Sequence, residues 1–329
     1  MIVTVTPNPS VDRTIYVGRL VRGTVVRAGR TAIHPSGKGV NVARALAASG
    51  AGAQAVLPLG GQEGDQLAAM LAEEGISYVP VPIRGAIRVN VSVLEEDGTV
   101  TKLNEPGPVL CEDEATALLD AAIRTARGAD WLVGAGSLPR GVPDLYLRLV
   151  ERSHEAGLPV AIDTQGDLLG GIAAAGADLI KPNLPELAAA GGRWPATLGD
   201  AARAAQELAD AGARCVLASL GPDGALLVQD GRVWHGEAEA GIVRSTVGAG
   251  DAMLAGFLAG GGQGPSALQE ALAWAAAACR LSDSGMPTRD GVTYSNNRVH
   301  SHIDEQRPLV RRRPVPTAGI QERSGGEGK

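Results

Sequence analysis

The chain has 329 residues, 44% of them hydrophobic and 20% charged, which is the make-up of a globular, enzyme-sized chain: one large domain with at most a small appendage. Its net charge of −6, with no long basic block before residue 307, argues against a nucleic-acid partner. The cysteines, Cys111, Cys215 and Cys279, are far apart and form no CxxC or Cys/His cluster, so neither a zinc site nor a disulfide framework is supported.

Taken in chain order, Ile2–Thr6 reads as a strand, with no basic region leading into an apolar run. No apolar stretch reaches membrane-spanning length, so the expected location is cytoplasmic. Residues 11–35 are strand-like and rich in charge. Val40–Ser49 reads as a helix, Gln54–Leu59 as a strand and Asp65–Glu74 as a helix. Residues 85–103 alternate polar and apolar side chains around Asp97-Gly98, the pattern of a hairpin with one wet face.

After Leu110 the rhythm is regular. Strands are expected at Trp131–Ala135, Pro159–Asp163, Leu179–Lys181 and Cys215–Ser219. Helices are expected near Asp113–Ala126, Pro143–Ala156, Ala201–Ala211 and Pro265–Leu281. Strand–helix alternation with buried apolar strands predicts a parallel sheet covered on both faces, an α/β domain over residues 1–291. Segments 11–35 and 85–103 break the rhythm and are expected to form a small edge sheet, a lid that excludes water. The tail 292–329 lacks periodicity, ends in a Gly-rich stretch and carries Arg311-Arg312-Arg313; disorder is expected over most of it.

One stretch carries most of the chemistry. Gly248-Ala249-Gly250-Asp251 is a tight turn running into the apolar segment Met253–Ala259. Unpaired amides at a helix start can hold an anion. Asp251 there serves either as an N-cap or as a base that takes a proton from a group attacking that anion. A dinucleotide fingerprint is not completed, because Met253 stands where the third small residue belongs. Ser36-Gly37-Lys38-Gly39 is a second Gly-rich turn before a helix and could meet a second phosphate. Lys38 is followed by Gly, so the turn is not a Walker P-loop. Asn183 and Glu186 lie three apart at a helix start. They read as oxygen ligands for a water-rich Mg²⁺ shell or as a capping box, and the two readings are compatible. Ser219-Leu220-Gly221-Pro222-Asp223-Gly224 reads simply as a turn between strands.

In this order the motifs resemble the PfkB, or ribokinase-like, carbohydrate kinases, and within them the 1-phosphofructokinase branch, close to tagatose-6-phosphate kinases. The resembling segments are TPNPSVDRTIYV (6–17), SGKGVNVARAL (36–46), IRVNVSV (87–93), LNEPGP (103–108), GSLPRGVP (136–143), IKPNLPEL (180–187), SLGPDGALLV (219–228) and VGAGDAMLAGF (247–257). The resemblance implies a three-layer α/β/α fold with a mainly parallel central sheet and a small β-sheet lid. It implies ATP and Mg²⁺ as cofactors and fructose 1-phosphate as acceptor, giving fructose 1,6-bisphosphate. Asp251 would be the base, with Gly248, Ala249 and Gly250 forming the anion hole. Asp12, Gly37, Gly39 and Asn41 would hold sugar hydroxyls, and Lys38, Arg88 and Asn90 the existing phosphate. Lys181, Asn183, Ser219, Gly221 and Gly224 would line the ATP site, and Asn183 with Glu186 would organise Mg²⁺. Tagatose 6-phosphate, another sugar, or a non-catalytic sugar-phosphate-binding regulator remain open, as does a homodimer through the lid sheet.

Overall fold

The computed structural model describes residues 1–282, 285–295 and 297–310. In chain order its elements begin with β1 (Ile2–Val5), β2 (Ser10–Val17), β3 (Arg30–Ser36), α1 (Lys38–Ala48), β4 (Ala53–Leu59) and α2 (Gly61–Glu73). They continue with β5 (Tyr78–Pro82), β6 (Arg88–Glu95), β7 (Val100–Asn104), α3 (Glu112–Thr125), β8 (Trp131–Ala135), α4 (Leu145–Glu155) and β9 (Val160–Asp163). Next come α5 (Leu169–Ala174), β10 (Leu179–Ile180), α6 (Leu184–Ala190), α7 (Leu198–Asp210), β11 (Cys215–Ser219) and β12 (Ala225–Gln229). β13 (Arg232–Glu237), α8 (Ala249–Ala259), α9 (Gly264–Cys279) and β14 (Arg298–His300) complete the described part.

Ten strands make the main sheet, in the order β14-β13-β12-β11-β10-β9-β8-β1-β4-β5. From β5 to β11 the neighbours are parallel, and β12, β13 and β14 add an antiparallel edge. Most residues of the parallel strands are Val, Ile, Leu or Ala because helices cover both faces. Two cores result. One packs α3, α4 and α7 on the sheet, and the other packs α8 and α9. α8 is apolar all round and buried, as a helix with no wet face must be.

The second sheet has four strands in the order β3-β2-β6-β7. β6 and β7 form the expected hairpin, with Gly98 at φ 86° in its turn. β2 and β6 run parallel, with Ser10 opposite Arg88 and Asp12 opposite Asn90. Side chains two apart on a strand share a face, so these four polar groups are brought to one side. Val11, Ile87 and Val89 pack on the other side against α1 and α2.

Two findings differ from the sequence reading. Tyr78–Pro82 is a strand, on the sheet edge where prolines 80 and 82 forfeit no ladder bond that the sheet needs. Residues 298–310 are packed rather than loose. β14 pairs with β13, and Leu309 is buried in the core. The reason is long-range pairing, which local periodicity does not report. The expectation for 311–329 falls outside the described residues. Among the described residues no helix is long and apolar enough to cross a membrane.

Candidate active site

The chemistry-bearing residues gather where the parallel strands end, the usual place for ligands in an open α/β sheet. Asp163 closes β9, Lys181 follows β10, and Ser219 closes β11. Gly37 and Lys38 stand at the start of α1, and Gly248 to Asp251 at the start of α8.

α1 and α8 pack against each other. Their contact sets Asn41 Nδ2 donating to Asp251 Oδ2 at 2.8 Å. Close approach of α1 to β1 requires the glycines: a Cβ at Gly39 would lie 2.5 Å from Thr6 Oγ1 and 3.0 Å from the Val5 carbonyl oxygen. Gly248 caps α8 in the left-handed region, φ 77° and ψ −5°. That conformation, which glycine adopts without strain, makes the turn that starts α8 just before Asp251.

A buried charge cluster fills the floor. Asp163 is fully buried; its Oδ1 lies 2.7 Å from Lys38 Nζ and its Oδ2 lies 3.0 Å from Lys181 Nζ. Lys38 Nζ is also 3.6 Å from Glu186 Oε1. Burial works to raise the Asp163 carboxyl, but Lys181 and Lys38 outweigh it and hold the group below its usual value. Burial likewise works against a charged Lys38, yet Asp163 and Glu186 more than reverse this and raise it. Two ammoniums therefore face three carboxylates, and Asp251 is the third. Burial, and then the Asp163 charge, push Asp251 up to about 6, against the pull of Asn41, Lys181 and Lys38. Asp251 is thus a carboxylate poised near neutrality beside helix-start amides, which suits a general base.

Next to this cluster the small sheet contributes a polar face. Asp12 Oδ1 accepts from Ser10 Oγ at 2.7 Å and from Asn90 Nδ2 at 2.9 Å. Arg88 donates through Nη2 to the Asn8 carbonyl at 3.0 Å and through Nη1 to the Glu105 carbonyl at 3.3 Å. Burial lowers its guanidinium, and Asp12 opposes this. A cavity of about 290 Å³ opens beside it, lined among others by Glu63, Arg88, Glu105 and Gly107. Among the described residues the buried atoms Asn8 Oδ1, Asn41 Oδ1, Asn90 Oδ1 and Arg88 Nε lack a hydrogen-bond partner. Buried polar atoms left open in this way mark a place prepared for a polar ligand.

Asn183 and Glu186 form a reciprocal capping box on α6. Glu186 N donates to Asn183 Oδ1 at 2.9 Å, and Asn183 N donates to Glu186 Oε2 at 2.8 Å. Among the described residues no group of three or more His, Cys, Asp or Glu could hold a metal ion by itself. The pair fits a Mg²⁺ that keeps its waters and is shared with phosphates, not an all-protein cage. Ser219 bridges to Asn183, so α6 and the 219–224 turn sit side by side. Gly224, at φ 86°, has a backbone reason of its own: a Cβ there would lie 2.0 Å from the Gly236 carbonyl oxygen.

The structure thus joins Asn41 to Asp251, gathers Lys38, Lys181 and Glu186 about Asp163, and joins Asp12 to Asn90 and Asn183 to Ser219. The sequence reading missed Asp163, Asn8 and Ser10. An acid at the C-terminal end of a parallel strand was a legible signal for Asp163; Asn8 and Ser10 offered only their place in the TPNPSVD segment.

Comparison with known proteins agrees with this fold. The family model described as "pfkB family carbohydrate kinase" matches residues 5–288. A 1-phosphofructokinase of Haloferax volcanii is 42% identical over 263 residues, 79% of this chain and 83% of that protein. The ATP-dependent 6-phosphofructokinase isozyme 2 of Escherichia coli is 35% identical over 257 residues, 77% of this chain and 83% of that protein. The crystal structure of the Escherichia coli phosphofructokinase-2 in complex with substrates and products superposes with a TM-score of 0.82 at 32% identity, covering 88% of this chain and 96% of that one.

Proposed function

The chain belongs to the pfkB family of carbohydrate kinases, and from that membership we propose that it phosphorylates fructose 1-phosphate with ATP to give fructose 1,6-bisphosphate and ADP. It is a phosphotransferase with an alcohol group as acceptor, and the relatives at 32–42% identity that are named 1-phosphofructokinase support the substrate. The observation that carries the mechanism is Asp251: buried, pushed up to about 6, and set in the first turn of α8.

Asp251 takes the proton from the 6-hydroxyl. The oxygen attacks the γ-phosphorus in line, the bond to ADP breaks, and the proton later leaves Asp251 for solvent. The amides of Gly248, Ala249 and Gly250 stabilise the charge on the transferring group. Asp12, Asn41 and the Gly37 and Gly39 backbone orient the sugar. Arg88, with Asn90, holds the ester phosphate, since a guanidinium suits a bidentate phosphate contact. Lys38 was expected at that phosphate. Its ion pairs with Asp163 and Glu186, beside Lys181, support a role for it at the reaction centre too. Lys181, Asn183, Ser219, Gly221 and Gly224 line the nucleotide side. Asn183 and Glu186 would hold Mg²⁺ through water, and the ion would supply charge neutralisation on the nucleotide side. The small sheet acts as a lid that keeps water from competing with the hydroxyl.

A coupled ADP assay across a sugar panel tests the reading. Turnover with fructose 1-phosphate should exceed that with fructose 6-phosphate, tagatose 6-phosphate and fructose. Best turnover with unphosphorylated fructose would overturn the assignment of Arg88. We place the reaction in the cytoplasm, where ATP and sugar phosphates are found. A homodimer through the lid sheet is supported by Ile33 and Leu103, which are apolar and exposed on it in one cross-strand row.

A further inference from the structure

The segment after residue 288 lies beyond the match to the family model, yet it reaches the nucleotide side of the cleft. β14 extends the sheet against β13, and the chain then turns back over the start of α7. There it supplies acceptors that helix-start amides need: Gly199 N donates to the Glu305 carbonyl at 3.1 Å, and Leu198 N to the Arg307 carbonyl at 2.9 Å. Leu309 N donates to the Ala196 carbonyl at 3.0 Å, and its side chain is buried. The segment is therefore a fixed strap.

Its grip falls on Asp223, in the short turn Gly221–Asp223 between Ser219 and Gly224. Asp223 is 3% exposed. Val310 N donates to its Oδ2 at 2.7 Å, and Arg307 Nη2 lies 3.5 Å from its Oδ1. Arg307 is itself held by Glu237 Oε1 at 2.6 Å. From below, the buried His235 places Nε2 at 2.8 Å from the Asp223 carbonyl; a carbonyl only accepts, so Nε2 carries the hydrogen. A buried carboxylate needs a cation and donors, and for Asp223 the strap provides both.

We propose that Arg307 is a positioning residue for ATP, fixing the 219–224 turn through Asp223 so that its backbone meets the nucleotide. This rests on the reading of that turn as the ATP side. Arg307→Ala should raise the KM for ATP by about 10-fold while the KM for fructose 1-phosphate stays within about twofold. Arg307→Lys, which keeps the charge, should recover part of the difference. An unchanged KM for ATP, or a rise of both KM values together, would overturn the proposal. Should Arg307→Ala fail to fold, Asp223→Asn is read instead. It keeps an acceptor for Val310, removes the charge that Arg307 meets, and should give the same one-sided rise; an unchanged KM for ATP in it would overturn the proposal equally. Wild-type protein that neither turns over nor binds ATP would sink the kinase reading and this proposal with it, whereas a measurable wild-type KM for ATP that the variants leave unmoved sinks this proposal alone.

Discussion

Asp251 is raised because it is buried and lies near the Asp163 charge, against the pull of Asn41 and two ammoniums, and that has consequences for both rate and stability. kcat/KM should rise with pH through about 6 and level off above it, since the base works only when deprotonated. A pH–rate profile checks this, and Asp251→Asn should remove the dependence along with a factor of roughly 10²–10⁴ in kcat. The stability sign is opposite. The folded value of about 6 lies above the ordinary value of 3.8, so between these the unfolded chain gives up its proton first and stability falls as pH rises. Above pH 6 the ligand-free wild type carries the full penalty, on the order of 3 kcal/mol at 1.36 kcal/mol per pH unit. Thermal unfolding at pH 8 should therefore show the inactive Asp251→Asn to be the more stable protein, and at pH 3 the advantage should vanish. In the sequence Asp251 was legible because a Gly-rich turn preceded it. Asp163, its partner in the electrostatics, was a lone acid at a strand end, and only the fold reveals that two distant lysines converge on it. Asp163→Asn should destabilise the protein by about 3–5 kcal/mol in denaturant titration, because it removes the ion pair of the buried Lys181 ammonium.

α1 is the element that ties the Asp163 cluster to Asp251: it starts at Lys38, carries Asn41 to Asp251, and seats on β1 through Gly39. Gly39→Ala would force a Cβ to 2.5 Å from Thr6 Oγ1 and 3.0 Å from the Val5 carbonyl, so the helix must move. A loss of about 2 kcal/mol in stability and a raised KM for the sugar phosphate are expected from unfolding curves and initial rates. Most helices and the central strands were readable because their apolar periods are strong, though α5 was not foreseen and the Thr197–Asp200 box starts α7 ahead of the Ala201 start expected from sequence. β5 was not readable, since two prolines in five residues argue against a strand until its edge position is known. β14 was not either: three residues with no apolar alternation are a strand only because β13 offers them an edge.

At the scale of the molecule, alternation along the chain was enough to foresee a parallel sheet with helices on both faces, and the charge-rich interruptions foretold the second sheet. The pairing that joins β2 to β6 in parallel, across more than seventy residues, was beyond local reading, and it is what brings Asp12, Asn90 and Arg88 onto one face. That sheet also exposes Leu103 at 61%. Sedimentation should show a dimer, and Leu103→Lys should shift it toward monomer; a monomeric wild type would remove the lid-to-lid pairing. The central claim is that a carboxylate near neutrality, next to helix-start amides, drives phosphoryl transfer to a sugar-phosphate hydroxyl. The most direct test is ADP formation with fructose 1-phosphate and saturating ATP at pH 8, comparing wild type with Asp251→Asn while ATP binding is followed by calorimetry. The expected result is robust wild-type turnover and at least about a hundredfold lower rate in the variant with ATP still bound; near-equal rates would contradict it.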